Sequence, residues 1–293
     1  MSEFKGIFVV MVTPFDGKGE VDYPGIRRCV EWWIDQGVHG ILPLGSTGEF
    51  ASLTESERAE VARVVIEAVN GRVPVVVGAS AETTAKAVEF AQLSKSLGAD
   101  GVMVLPSYFY RSTQEEIITH FDAIAKASGL PIVVYNNPRS AKVDIIPETV
   151  ARLARIPEVK YIKESTNDIK RITELRTLTD DGITIFCGCE HMSYESFVMG
   201  AKGWVCVVGN IAPSMAVSLF ETVVEQRDLD AGWEIYKKLL PTLRFFERAG
   251  KGARTLKYVL NRRGLCEPHS RRPRLPLTDA DKREIDKLVD GLH

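Results

Sequence analysis

No stretch of the chain approaches the roughly 18 consecutive apolar residues of a membrane span, so nothing in it reads as a transmembrane helix. The start, MSEFKGIFVVMVTPF, has one early lysine and a short apolar run closed by Thr13 and Pro14, with no small-residue cleavage site; it does not read as a secretory signal. Charge of either sign is not in excess: the formal balance is -2 and the pI near 6.3, which gives no general attraction to nucleic acid or to an anionic membrane. Cysteines are few and odd in number, five in all (Cys29, Cys187, Cys189, Cys206, Cys266), and at least three fall in apolar runs where cysteine serves as a small buried hydrophobe. A reducing, cytoplasmic location is expected. Histidines number five and form no H-x-x-x-H or H-E-x-x-H pattern, and Cys187-Gly-Cys189 has no second ligand pair at metal spacing, so no metal is expected.

What is present is a length of 293 residues, 45% hydrophobic and 26% charged, enough for a sizeable core in one large barrel or two ordinary domains. Eight short β-branched apolar runs recur: Ile7–Val12, Val38–Leu44, Val73–Val77, Gly101–Leu105, Pro131–Tyr135, Val159–Lys163, Ile183–Cys187 and Gly203–Val208. They lack in/out alternation, as expected of strands buried on both faces of a parallel sheet. Helical patterns fill the gaps. Thr54 and Glu57 have capping-box spacing, and Val61, Val64, Val65 and Ala68 make the apolar stripe that follows. Eight alternations of strand and helix predict an α/β fold of the (β/α)8 TIM-barrel type, the first strand running into VTPFDGKG rather than a G-x-G-x-x-G phosphate turn. The barrel is expected over residues 1–226, and 227–293 reads as a C-terminal helical extension packed on it. Its arginines (Arg262, Arg263, Arg271, Arg272, Arg274) read as capping and pairing groups rather than a nucleic-acid surface.

Barrels of this class carry their active sites at the C-terminal ends of the strands. Read there, the second strand opens into GSTGEF, the fifth ends at Tyr135, the sixth at Lys163, and the seventh runs into GCEH. Lys163 closes the run VKYIKEST. By position alone the plainer reading, a solvated strand end or a partner for Glu164, is the commoner one. Its neighbours shift that balance. A lysine turned into a barrel mouth is desolvated, which favours the nucleophilic neutral amine, and such an amine condenses with ketones. Tyr135 brings a phenol able to relay protons. The loop Gly45-Ser46-Thr47-Gly48 offers accessible backbone N–H groups and two hydroxyls, suited to a small carboxylate.

These residues resemble the family of Schiff-base pyruvate aldolases that contains dihydrodipicolinate synthase and N-acetylneuraminate lyase. The resemblance runs from GIFVVMVTPF through GSTGEF, LPSYFY, YNNP, YIKES and GWVCVVGN to RRPRLPL. It implies an imine-forming lysine at Lys163, a proton-relaying phenol at Tyr135, a linking hydroxyl at Thr47, and Ser46 at the pyruvate carboxylate. It further implies a tyrosine donated by a neighbouring subunit, matched first by Tyr108, two residues after Pro106, with Phe109 and Tyr110 as competitors. Gly188 and Val205 match pocket-lining backbone positions. The implied assembly is a homotetramer, a dimer of dimers, and no cofactor is implied.

The family's synthase has a carboxylate-binding arginine two residues after the YNxP proline. Here Ser140 stands there and Arg139 directly follows Pro138, so synthase activity is not implied by that loop. Glu190 and His191 stand near the sugar-binding acids of the lyase. The expected function is an aldolase or lyase using pyruvate, or a pyruvate-derived 2-keto acid, with an aldehyde or sugar-acid co-substrate. A 2-keto-3-deoxy sugar acid dehydratase or aldolase, an N-acetylneuraminate lyase-like enzyme, and a non-catalytic keto-acid-binding regulator are the alternatives.

Overall fold

A computed structural model describes residues 3–248 and 250–292; positions 1, 2 and 293 at the outer limits of the two expected domains lie outside it. The eight apolar runs form eight parallel strands: β1 (Gly6–Val10), β2 (Gly40–Leu42), β3 (Val76–Gly78), β4 (Gly101–Val104), β5 (Ile132–Asn136), β6 (Val159–Glu164), β7 (Thr184–Cys187) and β8 (Gly203–Cys206). Hydrogen-bonded neighbours follow the order β2-β1-β8-β7-β6-β5-β4-β3. The remaining gap is bridged by the parallel pair Ile41 and Val75, with the Ile41 N–H donating to Pro74 O at 3.0 Å. The sheet thereby curls into a (β/α)8 barrel. Nearly every strand residue is buried, which is why the runs show no alternation: one face fills the barrel and the other meets the helices.

The helical ring is α1 (Tyr23–Asp35), α2 (Glu55–Val69), α3 (Thr84–Ser96), α4 (Gln114–Ser128), α5 (Pro138–Ala141), α6 (Pro147–Leu153), α7 (Lys170–Thr179), α8 (Ser193–Val198) and α9 (Pro213–Phe220). The capping box is present: Thr54 accepts from the Glu57 N–H while Glu57 accepts from Thr54's own, and Val61, Val64, Val65 and Ala68 are buried on the inner face of α2. Glycines keep the sheet close where side chains cross. A Cβ on Gly40 would lie 2.3 Å from the Phe8 ring, and one on Gly203 the same distance from the Phe186 ring.

Beyond α9 the chain forms α10 (Leu229–Arg248), α11 (Gly252–Arg262) and α12 (Asp279–Val289). These helices are not a loose appendage. Helix α10 lies against α8, α9 and residues 190–192. Arg263 donates to Ile211 O at 2.5 Å with its guanidinium 4.9 Å from the Trp32 ring, and Arg271 pairs with Glu57 while donating to the carbonyls of Gly19 and Ser52. These two arginines anchor the extension to the barrel. All five cysteines are free and buried, and Cys187 is held between the Ser196 hydroxyl and the Cys189 carbonyl. Among the described residues no helix is long and apolar enough to cross a membrane.

Candidate active site

Tyr135 and Lys163 are register partners on the adjacent parallel strands β5 and β6, so their side chains leave the sheet on the same side. Both are buried, and the Lys163 Nζ lies 4.2 Å from the centroid of the Tyr135 ring. Space for the lysine stem depends on Gly188 beyond β7. A Cβ there would stand 1.9 Å from Ser165 Oγ, 2.8 Å from Glu164 O and 2.9 Å from Lys163 Cγ, so this position admits no side chain without moving the lysine or its strand.

Behind Lys163 the chain turns Glu164 the other way. Its carboxylate is buried and accepts from the Thr166 N–H at 2.7 Å and from Asn136 Nδ2 at 3.1 Å. Burial raises its pKa, against the opposing pull of those donors. Glu164 therefore braces the strand end and leaves the amine to the cavity.

The GSTGE loop after β2 faces Lys163 across the barrel mouth. Its path is tightly wound: Leu44 and Glu49 both take left-handed backbone angles, φ 61° and 56°, which non-glycine residues rarely adopt. Thr13 Oγ1 donates to Gly48 O at 2.7 Å, and the bare Cα of Gly78 lets Leu44 O pass where a Cβ would be 2.2 Å away. Ser46 and Thr47 project into a cavity of about 320 Å3 shared with Tyr135, Lys163, Gly188 and Glu190. Gly45 and Gly48 are buried beneath them. Among the described residues neither hydroxyl is tied to another protein group. The Tyr135 hydroxyl instead accepts from Asn137 Nδ2 at 2.8 Å, so the expected Thr47–Tyr135 link is not made in the single chain.

Glu190 has a different setting from the one its sequence position suggested. One oxygen accepts from Trp204 Nε1 and the Val207 N–H, the other from the Val208 N–H, at 3.2, 2.8 and 2.8 Å. Complete burial pushes its pKa up to about 7, while the two backbone donors pull the other way. These three bonds tie the end of β7 to the turn after β8 and take up most of the acceptor capacity of a carboxylate that lines the cavity.

Four other expected positions lie outside the cavity wall. Arg139 and Ser140 sit exposed on α5, whose N-cap Asn137 accepts from the Ser140 N–H, and neither lines the cavity. Val205 is buried in β8 opposite Phe8, and Val207 reaches the cavity instead. Tyr108 is half-buried against Phe50, ring centroids 6.0 Å apart, on a loop whose backbone N–H groups from Tyr108 to Tyr110 all donate to Glu82. Phe109 and Tyr110 point outward, 65% and 71% exposed.

The cavity also contains side chains that no sequence motif marked. Glu49 belongs to the recognisable loop, but its burial does not show in the motif. Its partner Lys257 comes from α11 and donates to it at 2.5 Å, with Arg274 3.5 Å away on the cavity side. Phe246, Glu247, Gly252 and Ala253, at the turn from α10 to α11, close the far wall. A larger open groove between α6 and α7 holds no comparable grouping of reactive side chains.

A buried strand-end amine beside a phenol and a glycine-hydroxyl loop, at the mouth of a (β/α)8 barrel, defines an enzyme of the imine-forming lyase class. The chain belongs to the dihydrodipicolinate synthetase family, whose model matches residues 3–292. It is 35% identical over 288 residues to a 4-hydroxy-tetrahydrodipicolinate synthase of Geobacter metallireducens, covering 98% of both chains. Among solved structures it is similar to the chloride-inhibited dihydrodipicolinate synthase of Acinetobacter baumannii complexed with pyruvate, at 29% identity and a TM-score of 0.94 over 99% of both chains. A prophage protein of the dihydrodipicolinic acid synthase family from E. coli K12, in complex with pyruvate, matches at 26% identity with the same TM-score, also over 99% of both.

Proposed function

We propose that the protein is a pyruvate-dependent class I aldolase or lyase in which Lys163 forms the imine. The observation that carries the reading is the buried Lys163–Tyr135 pair opening onto the same cavity as Ser46 and Thr47. In this reading the Lys163 amine adds to the ketone carbon of pyruvate and the carbinolamine loses water. The resulting iminium draws electrons from the adjacent methyl group, which gives up a proton and becomes the enamine carbon nucleophile. That carbon adds to an aldehyde, whose oxygen takes up a proton, and water then releases the product and restores the amine. Cleavage is the same path reversed. Tyr135 is the group placed to carry protons, and the backbone and hydroxyls of the 45–48 loop to hold the carboxylate beside the ketone.

The co-substrate is read as a hydroxylated aldehyde or 2-keto-3-deoxy acid in preference to aspartate semialdehyde. The supporting observation is the outward placement of Arg139 and Ser140, which leaves no guanidinium from that loop at the cavity. A dimer or tetramer in which Tyr108, Phe109 or Tyr110 meets a second copy fits the exposure of that loop, and five free cysteines suit a reducing cytoplasm. The test is borohydride reduction with pyruvate followed by peptide mass analysis. An adduct on Lys163, lost in Lys163→Ala, is expected; no adduct, or one on another lysine, overturns the reading and leaves keto-acid binding without catalysis.

A further inference from the structure

We infer that Glu247, reaching the cavity from the extension, is a specificity-determining residue whose free carboxylate oxygen accepts from a co-substrate bearing hydroxyl groups beyond its reacting carbon. The inference rests on the Lys163 reading and deepens it. The cavity is about 320 Å3 and opens to solvent, while pyruvate has only six non-hydrogen atoms. A second small molecule fits beside it.

Glu247 lies in the wall facing that space. Glu247 Oε1 accepts from the Glu190 N–H at 2.7 Å, which fixes the side chain's direction; among the described residues its Oε2 has no protein donor. Glu49 is not available to a guest: Oε1 accepts from Lys257 and, at 3.4 Å, from Ser270, and Oε2 is sealed from the cavity surface. Arg274 stands 3.5 Å from it, donates to Ser52 Oγ at 3.0 Å, and is offset by the Glu49 charge.

A carboxylate oxygen on the cavity wall with no protein donor favours a guest that brings O–H groups. Glu190 has less capacity to offer, because its oxygens already take donors from Trp204, Val207 and Val208. A site built to bond hydroxyls rejects an analogue lacking them far more strongly than an apolar pocket rejects an added one.

The experiment pairs pyruvate with D-glyceraldehyde, propanal or aspartate semialdehyde and follows pyruvate consumption by the wild type and by Glu247→Gln. The amide keeps an oxygen for the Glu190 N–H and removes the charge, so a purely structural role predicts no change in preference. The wild type is expected to favour glyceraldehyde over propanal in kcat/KM by about tenfold or more. In Glu247→Gln that ratio is expected to fall several-fold, mainly through KM for glyceraldehyde. An unchanged ratio in the variant, no preference in the wild type, or faster turnover of aspartate semialdehyde overturns the inference while the Lys163 adduct still stands. If no pyruvate adduct forms on Lys163, both fall together. Should the variant fail to fold, the wild-type preference among the three aldehydes still decides.

Discussion

Lys257, at zero exposure in α11, donates to the Glu49 carboxylate at 2.5 Å, joining the extension to the βα loop at the barrel mouth. Burial lowers the lysine's pKa and Glu49 offsets that effect. Removing one partner of such a pair leaves the other charge uncompensated, so Lys257→Met is expected to cost about 3–5 kcal/mol in urea unfolding. Changing Glu49 to Gln in the same chain should recover part of the loss. A cost below about 1 kcal/mol, the range of an exposed pair, would refute the coupling.

Gly188→Ala tests the space around the lysine. The added carbon meets Ser165 Oγ, Glu164 O and Lys163 Cγ at 1.9 to 2.9 Å, the hydroxyl just past β6, a β6 carbonyl and the catalytic candidate's own stem. The rate of borohydride-trappable pyruvate adduct formation is expected to fall at least about tenfold, because small misplacements of a reacting group are costly. Unchanged trapping in a folded variant would remove Gly188 from the argument.

Glu190 gives a pH signature. Its folded pKa of about 7 stands above the ordinary carboxylate value of 4.5, burial being the cause. Between those values the folded state binds more protons than the unfolded one, so this group's contribution is fully present below pH 4.5 and is lost as pH rises through 7. The stability of Glu190→Gln relative to wild type should therefore climb across that window, by an amount of order 3 kcal/mol, and flatten above it. A pH-independent difference between the two unfolding curves would contradict the raised pKa.

The loop carrying Phe109 and Tyr110 is ordered by four contacts to Glu82, from the Ser107 hydroxyl and three successive N–H groups, while both rings stay exposed. A rigid aromatic surface of this kind suits a second copy of the chain. Replacing both rings with Ala is expected to shift sedimentation toward the monomer and to lower kcat with it. Sedimentation identical to wild type would show that this loop is not an interface.

The barrel was legible because buried parallel strands must be apolar on both faces, and because Thr54 announces α2 with a capping box. Lys163 and Tyr135 were legible as a pair once strand ends were taken as the site. What hid was direction and distance along the chain. Asn137 caps a four-residue helix on which Arg139 and Ser140 are exposed and off the cavity lining, a local fold that the loop sequence does not display. Glu190 keeps its position but not its freedom, since three donors from β8 and its turn converge on it only in the fold. Glu247 carries no motif at all, and Arg274, within RRPRLPL, reads only as a capping or pairing group; both reach the cavity through the packing of the extension.

The closing of the cavity by α10 and α11 has a consequence for how such an enzyme diversifies. The proposed imine-forming lysine is set in a barrel strand, while much of the opposite wall belongs to a peripheral segment that surrounds no part of the sheet. Substitutions at residues 246, 247, 252 and 253 would change which molecules gain entry without disturbing the barrel's interior, so new substrate ranges could arise by drift in a region that selection for folding constrains less tightly.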